Sequence, residues 1–326
     1  MDKQRKKTRV AALSVASNSV LVIFKLIVGI LIGSVSVFSE AIHSGMDLIA
    51  ALIAFFAVKI AGRVADEEHP FGHSKFENIS AFIEALLIFA AAVWIIYEAV
   101  GKLINPHPLE TVGWGVGVML VSTIANLIIS RLLFKVGNET ESAALIADGW
   151  HLRTDVFTSI GVMSGLGIIW LGGYIFPRLN LIWLDPVIAI AVAILILRTS
   201  FDLTKHAVQD LVDQSMPSEE KEWMQNYLSK LHPIVRSFHK LRTRKAGPTR
   251  FINIHLALDS KLTVGESHRI GDEVVGAFKS HFPQDVDVVV HIEPCDGSCR
   301  PACKSGCLLS DEEQKAVIAN GQNDPS

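Results

Sequence analysis

The stretch VFSEAIHSGMDLIAALIAFFAVKIA, residues 37–61, decides the fold class. It is long enough to cross about 30 Å of hydrocarbon as one helix. Yet it contains His43 and Asp47, spaced i, i+4 and therefore on one helical face. Ionisable groups at membrane depth are costly, so each needs a reason to be there. The stretch ADGWHLRTDVFTS, residues 147–159, repeats the device with His151 and Asp155.

Working outward, residues 10–32, 79–103, 112–134, 143–171 and 182–204 are also apolar enough and long enough to span. Gly33-Ser34, Asn105 to Pro108, Gly137-Asn138-Glu139 and Gly172-Gly173 through Pro177 separate them. The chain is 326 residues, 50% hydrophobic and 19% charged, and most of the apolar content precedes residue 205. This predicts a six-helix transmembrane domain over 1–205 and a soluble domain over 206–294. The remainder, 295–326, reads as a polar, mobile, cysteine-containing tail. Lys3, Arg5, Lys6, Lys7 and Arg9 set the N-terminus on the cytoplasmic side, and six crossings return the C-terminus there. Trp94, Tyr97, Trp114, Trp170, Tyr174 and Trp183 then fall at the outer ends, as an aromatic belt should. The first apolar run lacks an A-x-A-like cleavage site and reads as a retained helix. The net charge of −3 says nothing about partners, but no basic block large enough for nucleic acid appears, so none is expected as a partner.

Past Ser218 the pattern changes. Residues 218–231 read as a helix opened by Ser218, with Glu219 and Glu220 in its first turn. Residues 236–245 and 249–259 read as strands joined at Ala246-Gly247-Pro248, 264–282 as a helix and 285–293 as a strand. The order αββαβ predicts a small α+β sandwich.

The chemistry follows from ligand types. His43, Asp47, His151 and Asp155 can supply a tetrahedral N₂O₂ set, which suits Zn²⁺, and the two carboxylates cancel the charge of one divalent ion. Empty, the site is a dianion in low dielectric and should take up protons, with histidine as carrier. A metal-free polar contact between helices is the competing reading for either pair alone; two copies at matching depth favour metal. Asp148 and Arg153 read as supporting or structural, and Glu84 and Lys25 stay unassigned. The loop DEEHPFGHSKFE offers Asp66, His69 and His73, with Pro70 and Gly72 shaping the turn; a solvated loop is the alternative. In the soluble domain, Ile252, Ile254, Leu256 and Leu258 share a strand face that His255 does not. Val286, Val288, Val290 and Ile292 likewise leave His291 and Glu293 on the opposite face. Cys295, Cys299, Cys303 and Cys307 recur every four residues and could hold Zn²⁺ or an Fe–S cluster, although C-x-x-C knuckles are absent and Gly297, Pro301 and Gly306 argue against an aligning helix.

Together the two intramembrane pairs, ADGWHLRTDVFTS, HPFGHSKFE and HKLRTRKAGPTRFINIHL resemble the cation diffusion facilitators, especially bacterial YiiP-like zinc and iron efflux transporters. The resemblance runs from about residue 8 to Pro294. It implies a homodimer in the inner membrane with a metallochaperone-like (ferredoxin-like) cytoplasmic domain, exchanging metal for protons. It implies a transport site at His43, Asp47, His151 and Asp155 and a loop site at Asp66, His69 and His73. It also implies a structural Zn²⁺ site at His239, His255, His268, His291 and Glu293, and a charge pair, Lys75 with Asp213, near the dimer contact. This chain has His43 where the YiiP-like branch usually has Asp, which favours zinc over iron or manganese. Glu293 stands where the family carries Asp. The cysteine tail lies outside the family pattern. Cd²⁺, Fe²⁺, Mn²⁺ or Co²⁺ as main cargo, and a membrane-bound metal sensor or scaffold, remain as alternatives. An intramembrane metal site speaks against a sensor, and the lack of H-E-x-x-H speaks against a metalloprotease.

Overall fold

Apolar runs of this length can satisfy their backbone polar groups in lipid only as helices. The computed structural model describes residues 2–32, 35–105, 114–175, 183–282, 284–295, 303 and 306–321. The chain divides into two compact units, Met1–Leu211 and Val212–Ser326.

The first unit holds α1 (Asp2–Ile32), α2 (Val35–Ala61), α3 (Lys75–Ile104), α4 (Trp114–Thr140), α5 (Ala143–Ile175) and α6 (Leu184–Leu211). Among the described residues, α1, α2, α3, α4 and α6 hold stretches long and apolar enough to cross a membrane. The first half of α5 carries Asp148, His151, Arg153 and Asp155. Many small side chains line the helix contacts, beside a few large ones such as Leu133 and Leu145, and many large ones face outward, as suits packing within lipid. Ala50, Ala54, Ala85 and Ala92 are fully buried, whereas Leu31, Trp94 and Phe201 are 64–79% exposed. The main pairings are α3 with α6, α1 with α2 and α4 with α5. Polar ties cross the first of these: Ser200 Oγ donates to Ala85 O at 2.7 Å, and Asn78 Nδ2 donates to Asp210 Oδ2 at 2.9 Å. At the same end, Lys7 Nζ lies 2.5 Å from Glu77 Oε1, and Ser142 Oγ donates to the other oxygen of Glu77. This buried knot joins α1, α3 and the α4–α5 connection.

Several helices outrun their expected ends. α1 begins at Asp2, α3 at Lys75, and α6 continues to Leu211. Two expected breaks are not breaks. α4 continues through Gly137 to Thr140, and α5 continues through Gly172-Gly173 to Ile175. Gly137 is there for close approach: a Cβ on it would stand 2.9 Å from Ile146 Cγ1. The turn falls instead at Glu141, with φ of 52°. Of the belt aromatics, Trp94, Tyr97 and Trp183 are exposed; the side chains of Trp114, Trp170 and Tyr174 lie outside the described residues.

The second unit holds α7 (Ser218–Ser229), β1 (Val235–Ala246), β2 (Thr249–Asp259), α8 (Val264–His281) and β3 (Val286–Cys295). The expected αββαβ order is present. The sheet runs β1-β2-β3, antiparallel then parallel. Ile252, Ile254, Leu256, Leu258, Val274, Phe278, Met224 and Leu228 form its core. α7 is preceded by Pro217, which provides no side-chain cap, so Ser218 lies inside the helix. α8 opens with a full capping box between Thr263 and Glu266.

The tail departs from expectation. Leu308 N–H donates to Arg236 O at 2.9 Å and Phe238 N–H to Gly306 O at 3.1 Å, so the chain lies antiparallel against the free edge of β1. It then forms α9 (Asp311–Gly321), whose Ser310 and Glu313 make a second capping box. Covering an edge strand satisfies backbone groups that would otherwise invite pairing with another chain.

Candidate metal centres

In the helical unit, α2 and α5 each present their i, i+4 pair to the other. One ligand atom each from His43, Asp47 and Asp155 lies within 4.8 Å of the other two. Some point is therefore no more than about 2.8 Å from all three, against about 2.0–2.2 Å for Zn–N and Zn–O bonds. His151 stands one bond away, with Nε2 at 3.2 Å from Asp47 Oδ1. The structure thus brings all four expected residues together, with His151 tied to a ligand rather than counted in the triad. Asp155 Oδ2 and His151 Nδ1 are buried without hydrogen-bond partners, as groups awaiting an ion would be.

The surroundings separate the other charges. Arg153 turns away and lays its guanidinium 5.3 Å over the Phe134 ring. Glu84 is fully buried and accepts from Ser80 Oγ at 2.9 Å. Lys25 in α1 is 4% exposed and donates to Ser44 Oγ at 2.8 Å and Glu40 Oε2 at 3.1 Å. Sequence reasoning passed over Glu40 and Ser44. The available signal was an unexplained lysine in the middle of an apolar span.

In the α2–α3 loop, His73 Nε2 lies 3.3 Å and His69 Nδ1 3.5 Å from the Asp66 carboxylate, with the rings 4.4 Å apart. Gly72, at φ of 81°, lets the chain reverse there. The three residues form a second potential ligand group. The His69 backbone N–H, donating to Asp66, holds that carboxyl below its ordinary range, and nearby His73 acts in the same direction.

In the sheet, register sets the third group. His239 pairs with His255, and His255 with His291, so three imidazoles stand in a row across the strands. The bulge after His239, with Lys240 at φ of 52°, ends the regular pairing there. Glu293 reaches all three: 2.6 Å to His255 Nδ1, 3.2 Å to His239 Nε2 and 3.5 Å to His291 Nε2. His239, His255 and Glu293 converge tightly enough to hold an ion. The hydrogen bond from His255 keeps Glu293 below its ordinary pKa. Burial pushes the His239 ring down, toward the neutral form a metal needs. His268 is not brought to this group; it sits on α8 beside Asp272, at 3.5 Å.

The remaining expected residues are placed as follows. Lys75 Nζ donates to Leu211 O at 3.2 Å, and Asp213 accepts from Arg244 Nη1 at 3.2 Å. Cys303 and Cys307 are free thiols. Cys307 faces Ser237 across the tail pairing, and the Cys303 carbonyl accepts from Ser237 Oγ at 2.9 Å. Among the described residues no three-ligand group includes a cysteine; Cys299 lies outside them.

Comparison with known proteins matches residues 11–212 to the family described as "Cation efflux transmembrane domain", and residues 216–295 to "Cation efflux protein, cytoplasmic domain". The cation-efflux pump FieF of Klebsiella pneumoniae is 32% identical over 92% of this chain and 96% of the pump. An uncharacterised transporter of Synechocystis sp. is 34% identical over 81% of this chain and 83% of its own length. Among solved structures, the Zn form of CzrB is 32% identical over 27% of this chain and 98% of that one, with a TM-score of 0.25. The metal-bound C-terminal domain of the CzcD transporter from Thermotoga maritima is 24% identical over 24% and 94%, with a TM-score of 0.22.

Proposed function

The chain belongs to the cation efflux family, as a multi-pass membrane transporter of divalent metal ions and not an enzyme, and from that premise we propose that it exports Zn²⁺ in exchange for protons. The observation that carries this is the convergence of His43, Asp47 and Asp155, with His151 on Asp47, between two helices of the apolar unit. An imidazole-containing set favours Zn²⁺ over the harder ions Mn²⁺ and Fe²⁺. Two carboxylates neutralise the divalent cargo, and protons arriving from the outer side compensate them once it leaves. The helices would rock to open the site to each side in turn, within a homodimer in the inner membrane. The basic residues Lys3 to Arg9 favour a cytoplasmic N-terminus.

The cytoplasmic group at His239, His255 and Glu293, with His291 beside it, would hold structural rather than transported zinc. The Asp66, His69 and His73 loop would collect the ion near the membrane surface. His268, which pairs with Asp272 on its own helix here, would join the group from a second protomer. The Lys75 and Asp213 pair would form a structural charge pair near the dimer contact.

Zinc flux into proteoliposomes, measured with and without an imposed pH gradient, tests the reading. Gradient-accelerated uptake is expected. Flux that ignores the gradient would remove proton exchange, and absence of zinc flux alongside manganese or iron flux would replace the cargo.

A further inference from the structure

We propose that Lys25 is a tethered counter-cation of the transport site, held by Ser44 and Glu40, and that it sets how loosely the site grips its metal. The proposal rests on the transport-site reading above and adds residues from α1 and the outer half of α2 to it.

Lys25 lies within the apolar run SVLVIFKLIVGILI and is 4% exposed. Its ammonium is held on two sides, by Ser44 Oγ at 2.8 Å and Glu40 Oε2 at 3.1 Å. Glu40, Ser44 and Asp47 are spaced i, i+4, i+7 and form one stripe along α2. His43 borders the same stripe. The ammonium therefore sits about one helical turn from the metal ligands. Charge in so dry a setting acts across that distance.

The charge count gives the sense of the effect. Without metal, Lys25 offsets one of the two carboxylates, Asp47 and Asp155. With a divalent ion bound, those carboxylates are spent, and Lys25 repels the ion. Glu40 is 39% exposed at its side chain and pairs with the ammonium at 3.1 Å; it absorbs part of that excess charge. Lys25 thus stabilises the empty site and opposes the loaded one, while Glu40 moderates it. A transporter gains from this arrangement, because a site that only binds tightly does not release. A lysine serving only to join α1 and α2 would have no reason to reach the ligand stripe of α2, where Leu would pack at lower cost.

The test uses the full-length chain and Zn²⁺ alone. Site affinity is taken as the binding that Asp155→Asn removes, measured by competition with a chromophoric chelator, and transport is measured in proteoliposomes. Lys25→Met should tighten that affinity by roughly tenfold or more. KM should fall with it, and the maximal rate should fall too as release slows. Lys25→Arg should restore both. Glu40→Gln should act oppositely, raising Kd and KM by roughly threefold or more. Wild-type Kd and KM in Lys25→Met, or weaker binding, would overturn the proposal. If Lys25→Met fails to form a dimer, Glu40→Gln decides alone: weakened binding supports the proposal, and unchanged or tighter binding overturns it. If Asp155→Asn binds zinc as the wild type does, the transport-site reading itself fails and this proposal falls with it. Loss in Asp155→Asn with no change in Lys25→Met overturns only the role of Lys25.

Discussion

Replacing Asp155 with asparagine keeps the shape of the side chain and deletes one of the two charges facing the metal. Asp155 Oδ2 is buried and has no hydrogen-bond partner in the protein. The three candidate ligand atoms already lie within 4.8 Å of one another, so the wild-type site binds with little rearrangement. Removing one partner from a buried charge pair costs about 3–5 kcal/mol. That corresponds to a loss of roughly two to nearly four orders of magnitude in affinity. At zinc concentrations that half-saturate the wild type, Asp155→Asn should therefore show almost no uptake. The assay is zinc entry into proteoliposomes carrying an internal zinc dye, with dimer formation checked by size exclusion. A well-assembled Asp155→Asn dimer that transports at the wild-type rate would refute the assignment. An affinity loss below tenfold would mean that Asp155 is not a ligand.

His43→Asp should broaden transport toward Mn²⁺ and Fe²⁺, because it hardens the ligand set; an unchanged zinc-to-manganese ratio would show that His43 does not set selectivity. Zinc should raise the melting temperature of the full-length protein, and His255→Ala with His291→Ala should remove most of that gain while leaving weaker flux; complete loss of flux in a folded double variant would put this site on the transport path. The same zinc-dependent gain should shrink as pH falls through the histidine range, since ligation needs neutral rings; differential scanning fluorimetry over a pH series would reveal it. Phe278→Ala should destabilise the soluble unit by about 3–5 kcal/mol, because Phe278 is fully buried against Trp223 and Tyr227. Denaturant unfolding followed by tryptophan fluorescence would measure that cost.

The sequence alone determined what depends on local periodicity. A span in lipid must be apolar over its own length and close its own hydrogen bonds, so each helix is legible without its neighbours. Alternation in β2 and β3 likewise put His255, His291 and Glu293 opposite the core before any packing was known. The signal weakened where local composition and tertiary need disagreed. Gly137 looked like a break but serves close packing against Ile146. The Ser310–Glu313 capping box was written in the tail and was outweighed by its polar composition. Tertiary structure alone decided which groups meet. The pairing of α2 with α5 turned two i, i+4 pairs into one site and set His151 against Asp47. Strand register aligned His239 with His255 and His291. Packing of α1 on α2 brought Lys25 to Ser44 and Glu40. These contacts join residues far apart in the chain, and their geometry comes from how whole faces fit together, which no local spacing encodes.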